Sequence, residues 1–195
     1  MSKVSNIKAF NKSTIPTDWL VNKIGKIAKT TAGGTPSTNI EEYWGGKIKW
    51  MNSGDLNLKR IYNVEGRITE AGLKNSSTKL IPAKCVLIGL AGQGKTRGTV
   101  AMNMIELCMN QSIAAIFPSK NFYEDFLYHN LDFRYDELRQ LSTGDGGRGG
   151  LNLNIINSIK ILLPSLPEQK AIAHILNGMD SIINKKNLLI AKKEL

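Results

Sequence analysis

Residues 161–173, ILLPSLPEQKAIA, contain the boundary between two kinds of structure. Before Pro164 the chain alternates short apolar runs with turn residues, and 159–163 is the last run that reads as a strand. After it, Ser165 and Glu168 have the spacing of a capping box, and Pro167 occupies the first turn, where a missing N–H is tolerated. The stretch therefore predicts a helix that begins here and replaces the strands.

This predicted helix, residues 164–195, carries an apolar stripe. Its apolar residues recur in steps of three and four, with Lys186 as the polar interruption and Gly178 costing about 1 kcal/mol relative to alanine. The pattern is typical of a coiled-coil-like arm that binds a partner helix. The residues expected to form that partner or dimer surface are Ile172, Ile175, Leu176, Met179, Ile182, Ile183 and Leu189.

Upstream of the helix, short strands and helices are expected in irregular order. Strand-like apolar runs occupy 47–51, 85–88, 99–104 and 112–117, whereas 122–141 has helical spacing. We predict an α+β fold: a mixed domain over residues 15–163, a loose tail over residues 1–14, and the long C-terminal helix.

The charge balance predicts a polyanionic partner. The chain has 195 residues, a net charge of +10 and a pI near 9.6, which is typical of proteins that bind nucleic acid. A basic surface that only keeps the protein in solution is the alternative, and the charge by itself does not distinguish the two. No apolar run is long enough for a membrane span, and the polar N-terminus does not resemble a signal peptide. Two cysteines and two histidines leave little material for disulfides or a metal site, so we expect a cytoplasmic protein without bound metal.

Residues 89–96, GLAGQGKT, match the P-loop pattern of nucleotide-binding proteins. A P-loop needs a helix to begin at Lys95 and Thr96, but the next residues, RGTV, favour a strand. A hairpin tip is the alternative interpretation. There Lys95 would neutralise a phosphate, and Gln93 or Arg97 would read base edges with Thr96 beside them.

Other motifs give weaker indications. Arg148 lies in a second glycine-rich run, and Lys47 and Lys49 share one face of a predicted strand, so all three are candidate DNA contacts. Glu168 and Lys170 form the E-x-K of some metal-dependent nucleases, yet no carboxylate partner precedes them suitably, and Glu168 is better explained as a helix cap. We expect no catalytic residue in this chain.

Several motifs together resemble one family, the specificity subunits of type I restriction–modification systems. LPSLPEQKAIA is similar to that family's junction between a target-recognition domain and its spacer helix. IPTDW at 15–19, GTPS at 34–37, the glycine run from 92 and NQS at 110–112 resemble other family segments in the same order. The resemblance extends from about residue 15 to the helix.

The resemblance implies a DNA-binding subunit that directs other proteins to a split target for DNA modification or restriction. Methyltransferase subunits would bind S-adenosylmethionine, and restriction subunits would use ATP and Mg²⁺, so this chain would bind double-stranded DNA and no cofactor. It carries one recognition half where such subunits carry two. A truncated chain, a natural half-subunit and one of two pairing proteins remain open, including a homodimer through the helix. A nucleotide-binding protein and a basic non-catalytic interaction module remain the alternatives.

Overall fold

A computed structural model of the protein describes Pro16 and residues 18–92, 96–141 and 150–193. The predicted tail, residues 1–14, lies outside the described residues. In the described part the strands are β1 (Leu20–Lys23), β2 (Thr30–Ala32), β3 (Trp44–Met51), β4 (Arg60–Ile61), β5 (Arg67–Ile68), β6 (Val86–Gly89), β7 (Val100–Asn103), β8 (Cys108–Met109), β9 (Ile113–Ile116) and β10 (Lys160–Leu163). The helices are α1 (Ile24–Ile27), α2 (Glu70–Lys74), α3 (Glu124–Phe133), α4 (Tyr135–Leu141), α5 (Leu153–Ser158) and α6 (Leu166–Lys193), with short 3₁₀ segments at Glu41–Tyr43 and Ser53–Leu58.

A central sheet organises the domain, with strand order β2-β9-β6-β7-β4. Its strands pair antiparallel except β4 and β7, which run parallel. A smaller sheet has the order β5-β3-β8, and β1 pairs with β10 beside the start of α6. Sequence neighbours are therefore often separated in space, as expected for a mixed fold rather than a regular βαβ series.

The central sheet is buried on both faces because its side chains alternate between two cores. Val86 and Ile88 of β6 face a core built with α1, α3, α4 and α5. Leu87 of the same strand faces a second core, which includes Met51 and Leu56. This double burial explains why β6 and β9 read as continuous apolar runs instead of alternating ones.

The predicted α+β class and the long C-terminal helix are confirmed. α6 has 28 residues, which corresponds to a length of about 42 Å. The helical segment predicted over 122–141 is present as two helices. Arg134, which lies between α3 and α4, has a non-helical ψ of 25° and ends the first helix. Ser165 caps α6 through its hydroxyl, which accepts a hydrogen bond from the Glu168 N–H at 3.4 Å.

Candidate nucleic-acid interface

The segment with the P-loop pattern connects two antiparallel strands. β6 ends at Gly89, and β7 begins at Val100, pairing with β6 in the register Ile88 opposite Val100. Backbone hydrogen bonds continue the ladder, since Gly89 N–H donates to the Thr99 carbonyl at 2.9 Å and Gly98 N–H to that of Gly89 at 2.9 Å. No helix begins at Thr96, so the described geometry contradicts a nucleotide-binding P-loop. The hairpin interpretation is supported.

Two of the four candidate residues in this hairpin are described. Thr96 and Arg97 are half-buried, and the Thr96 hydroxyl donates to the Ala91 carbonyl at 3.4 Å. The Arg97 carbonyl accepts a bond from Nη1 of Arg139 at 3.4 Å, so α4 braces the hairpin base. Gln93 and Lys95 lie outside the described residues, and nothing structural follows for them.

Gly98 is required where the hairpin meets α4. Its φ of +81° lies in the left-handed region, and a Cβ there would lie 3.1 Å from Cγ of Arg139. A side chain at this position would strain the backbone and push α4 away. The glycine thus allows the close approach of hairpin and helix.

The segments that flank the second glycine-rich run lie beside the same hairpin. Arg148 and the rest of 142–149 lie outside the described residues. The flanks are described: α4 ends at Leu141 after bracing the hairpin, and the Leu151 N–H donates to the Leu90 carbonyl at 2.9 Å. The described segments before and after the second run are therefore both hydrogen-bonded to the hairpin.

Two further turns meet the hairpin at this end of the central sheet. The Leu90 N–H donates to the Ser112 carbonyl at 2.8 Å, which brings in the turn at 110–112. The Thr35 hydroxyl donates to Oε1 of Gln111, and Gly33 N–H donates to Ile113 at 3.1 Å. We call this set of turns the loop face; it comprises residues 33–35, 90–92, 96–98, 110–112 and 150–151.

Sequence reasoning did not select Thr35 or Gln111 as site residues. Gln111 is exposed and polar, and it lies between two buried strands. This pattern predicts a turn, but it does not predict where that turn lies in the folded domain. Its meeting with Thr35 depends on β2 pairing with β9, whose sequences are about 80 residues apart. No local signal reports such a pairing.

Lys47 and Lys49 lie on β3, in the smaller sheet. Lys47 is exposed, and Lys49 lies opposite Arg67 in the antiparallel pair, so two cations share one face of that sheet. β3 meets the loop face at its end, where the Met51 carbonyl accepts a bond from the Asn110 N–H at 3.0 Å and the Trp50 indole N–H donates to the Gly34 carbonyl at 3.1 Å. The structure therefore places both lysines on a strand that leads to the loop face and outside the face itself.

Comparison with known proteins decides the family. A model described as type I restriction modification DNA specificity domain matches residues 16–192, nearly the whole chain. The chain belongs to this family. It is 33% identical over 177 residues to the type I restriction enzyme MjaIX specificity subunit of Methanocaldococcus jannaschii, covering 88% of this chain and 40% of that protein. It is 30% identical over 164 residues to the Escherichia coli EcoR124I/EcoR124II specificity subunit, covering 83% and 41%.

Solved structures share the fold of this specificity domain. The crystal structure of the HsdS subunit from Thermoanaerobacter tengcongensis superposes with a TM-score of 0.70 at 16% identity, over 91% of this chain and 41% of that one. A chain from a structural study of complex assembly in the type I R-M system gives a TM-score of 0.75 at 17% identity, covering 95% and 44%. The specificity domain thus spans about two fifths of the curated relatives' length.

The helix α6 of the specificity domain has two different faces. Ile172 packs against the helical core, Ala173 is fully buried, and Leu176 is half-buried. The remaining apolar side chains of the predicted stripe are more than half exposed, and Ile190 joins them. These exposed residues, which we call the apolar stripe, are Ile175, Met179, Ile182, Ile183, Leu189 and Ile190.

The cysteines of the specificity domain are unsuited to nucleophilic chemistry. Burial raises the pKa of Cys85 from 9.0 to about 12, and that of Cys108 from 9.0 to about 11. Both thiols therefore stay protonated near neutral pH. The described residues contain no group of three or more histidine, cysteine, aspartate or glutamate side chains arranged to hold a metal ion. Among those residues, no helix is long and apolar enough to cross a membrane.

Proposed function

We propose that this chain reads one half of a split double-stranded DNA target as a type I specificity subunit. The observation that carries the proposal is the loop face: four turns, including the described part of the hairpin and residues 150–151, converge at one end of the central sheet in a chain of net charge +10. Loops held on a rigid scaffold are a common site of recognition. The names of the curated relatives support the assignment to a restriction system.

Within this proposal the hairpin residues have distinct roles. Arg97 and Gln93 supply the bidentate groups that read base edges, while Lys95, Thr96 and Arg148 contact phosphates. Lys47 and Lys49 add a sequence-independent attraction for the DNA backbone along β3. Gln111, held by Thr35, joins them as a polar group at the same end of the sheet.

The apolar stripe of α6 binds a second recognition half. The matched relatives are more than twice as long as this chain, which leaves room in each for a second such unit. Two copies of this chain suit the role when their helices run antiparallel about a two-fold axis between Ile182 and Ile183. In that register Ile175 of one copy lies opposite Ile190 of the other, and Met179 lies opposite Lys186. The aliphatic stem of Lys186 can cover the methionine while its ammonium group reaches water.

The chemistry of modification and cleavage belongs to other subunits. We expect this chain to bind methyltransferase subunits, and restriction subunits through them, with S-adenosylmethionine, Mg²⁺ and ATP held by those partners. The buried thiols and the hairpin geometry support a subunit that does no catalysis itself.

Selection of DNA from a random duplex library tests the proposal, using the full chain copurified with its methyltransferase subunits. We expect enrichment of a two-part motif separated by a fixed unread spacer. Enrichment of no motif, with binding set by salt alone, would instead identify a basic interaction module. A calorimetric titration with ATP and Mg²⁺ tests the nucleotide-binding alternative, and we expect no heat of binding.

A further inference from the structure

The first half of α6 is clamped to the domain at two positions on one helix face. The first is Gln169, which is 1% exposed. Its Oε1 accepts a hydrogen bond from the Tyr123 N–H, directly before α3, at 2.8 Å, and its Nε2 donates to the Pro164 carbonyl at 2.9 Å. Ala173, one turn further, is fully buried against the domain.

The second position is Asn177, two turns beyond Gln169. Its Oδ1 lies 2.9 Å from Nη2 of Arg60 and 2.8 Å from Nε2 of His129. Because arginine can only donate, the atom facing Arg60 is the amide oxygen, and His129 must then carry its proton on Nε2. One oxygen of α6 thus joins β4 and α3.

Arg60 is held in place independently of α6. Its Nη1 lies 2.6 Å from Oδ1 of Asp125, and its guanidinium lies 4.0 Å from the centroid of the Tyr128 ring. The ion pair is largely buried, with side-chain exposures of 21% and 10%. Asn177 therefore docks onto a preformed site. Asparagine is a poor residue for the middle of a helix, so local helix preference does not explain its presence there.

Beyond Asn177 the helix leaves the domain. The described side chains of residues 178–192 are exposed, and a cleft of about 800 Å³ opens between α6 and the domain, with Asp180, Ser181 and Asn184 on its helix side. The free arm, 178–193, is about 24 Å long. The two clamps are about 12 Å apart along the axis, so the direction of the arm depends on both.

A small tilt at the second clamp is amplified along the arm. A rotation of about 10° moves the end of a 24 Å arm by about 4 Å, more than the rise of one DNA base pair, about 3.4 Å. We propose that Asn177, bound by Arg60 and His129, is a positioning residue that sets the direction of α6 and hence the spacer length between the two half-sites. This rests on the proposed function for its DNA consequence.

Two substitutions at one position separate this role from general stability. Asn177→Leu keeps the size of the side chain but leaves the Arg60 and His129 N–H groups without their acceptor. Asn177→Asp keeps an acceptor oxygen for both donors and is the conservative rescue. Asn184→Leu, at an exposed position of the same helix, is the control for adding an apolar side chain.

The library selection described above reads both the half-site sequence and the spacer length. We expect the unchanged chain, Asn177→Asp and Asn184→Leu to select one spacer length at least tenfold over lengths one base pair longer or shorter. Asn177→Leu should select the same half-site with that preference reduced to about threefold or less. An unchanged spacer preference in Asn177→Leu would overturn the proposal.

A distance measurement separates this proposal from the proposed function. Nitroxide labels on Lys120→Cys and Lys192→Cys, both exposed, report the direction of α6 while Cys85 and Cys108 remain buried. Labelled chain is diluted with unlabelled chain, so that the distance between the two labels of one chain is measured. We expect a narrow distribution of this distance for the parent chain and for Asn177→Asp. For Asn177→Leu we expect a distribution at least twice as wide. Equal widths refute the clamp. If Asn177→Leu broadens the distance distribution but the parent chain selects no DNA motif, the proposed function is refuted and the clamp is not.

Discussion

The backbone N–H of Leu151 donates a hydrogen bond to the carbonyl of Leu90 at 2.9 Å. Leu90 directly follows β6, and Leu151 directly precedes the Asn152 cap of α5, so the bond joins two segments about 60 residues apart. Because both leucines are buried, water does not compete for the bond. It ties the residues just before α5 to the hairpin, so we expect substitutions in one of these segments to affect the other.

Arg97→Ala should weaken DNA binding in a way that distinguishes base reading from phosphate contact. If Arg97 reads a base, we expect a loss of about 1–3 kcal/mol for the target and a relaxed preference at one base position. Quantitative binding to a panel of single-base variants measures this.

Arg97→Lys and Lys95→Ala are the comparisons for Arg97. Arg97→Lys keeps the charge but loses the bidentate guanidinium group, so it should relax the preference for one base as the alanine variant does. Lys95→Ala should weaken all sequences alike and reduce the slope of log affinity against log salt by about 0.9. A uniform loss for Arg97→Ala would reassign that residue to a phosphate.

Gly98→Ala and Gly178→Ala should change stability in opposite directions. Gly98 has φ of +81°, and an added Cβ would lie 3.1 Å from Cγ of Arg139, so a methyl group should lower the free energy of unfolding by about 1–3 kcal/mol. Gly178 lies within α6 with no atom within 4 Å of an added Cβ, so alanine there should raise helix stability by up to about 1 kcal/mol. Thermal and urea unfolding measure both, and equal effects would contradict the hairpin geometry.

Ile182→Asp should prevent pairing through the apolar stripe. Ile182 is 59% exposed in the single chain and lies at the centre of the proposed antiparallel register. A buried carboxylate at that centre should weaken association by at least about 100-fold, measured by sedimentation equilibrium. Asn184→Asp adds the same charge on the opposite side of the helix and should leave association unchanged. Equal association of both variants would place the partner surface elsewhere.

The two buried thiols predict a loss of stability in alkali. Above pH 9 the thiols of the unfolded chain ionise, whereas burial raises the pKa of Cys85 to about 12 and that of Cys108 to about 11 in the folded chain. The stabilisation is therefore complete below pH 9 and is lost as the pH rises towards those values, by at most about 1.4 kcal/mol per pH unit for each thiol. Urea unfolding at pH 8, 9 and 10 tests this, and a Cys85→Ala/Cys108→Ala variant should show a shallower decline.

Local rules predicted the segments whose structure depends on their immediate neighbours. Ser165 and Glu168 correctly marked the beginning of α6, and the glycine and β-branched residues after Thr96 correctly favoured a strand over a P-loop helix. Residues 122–141 were predicted as one helical segment, because apolar spacing does not report the backbone interruption at Arg134.

The sequence predicted the residues of the candidate site less completely than it predicted the helices and strands. The hairpin around Thr96 and Arg97 was selected for its residue types, and the structure braces it with α4. The partner of Gln111 was not predictable, since Thr35 reaches it only through the pairing of β2 with β9. Asn177 appeared in no sequence pattern, because its two donors come from β4 and α3.

The sequence by itself determined the basic charge, the α+β class, the family resemblance and the position where α6 begins. These depend on composition, on periodicity, and on capping groups within one turn of each other. Only the tertiary structure decided that four turns form the loop face, and that α6 turns Gln169, Ala173 and Asn177 towards the domain while leaving the apolar stripe exposed. Those arrangements depend on strand order and on hydrogen bonds between distant segments, which form only when the long loops between them close.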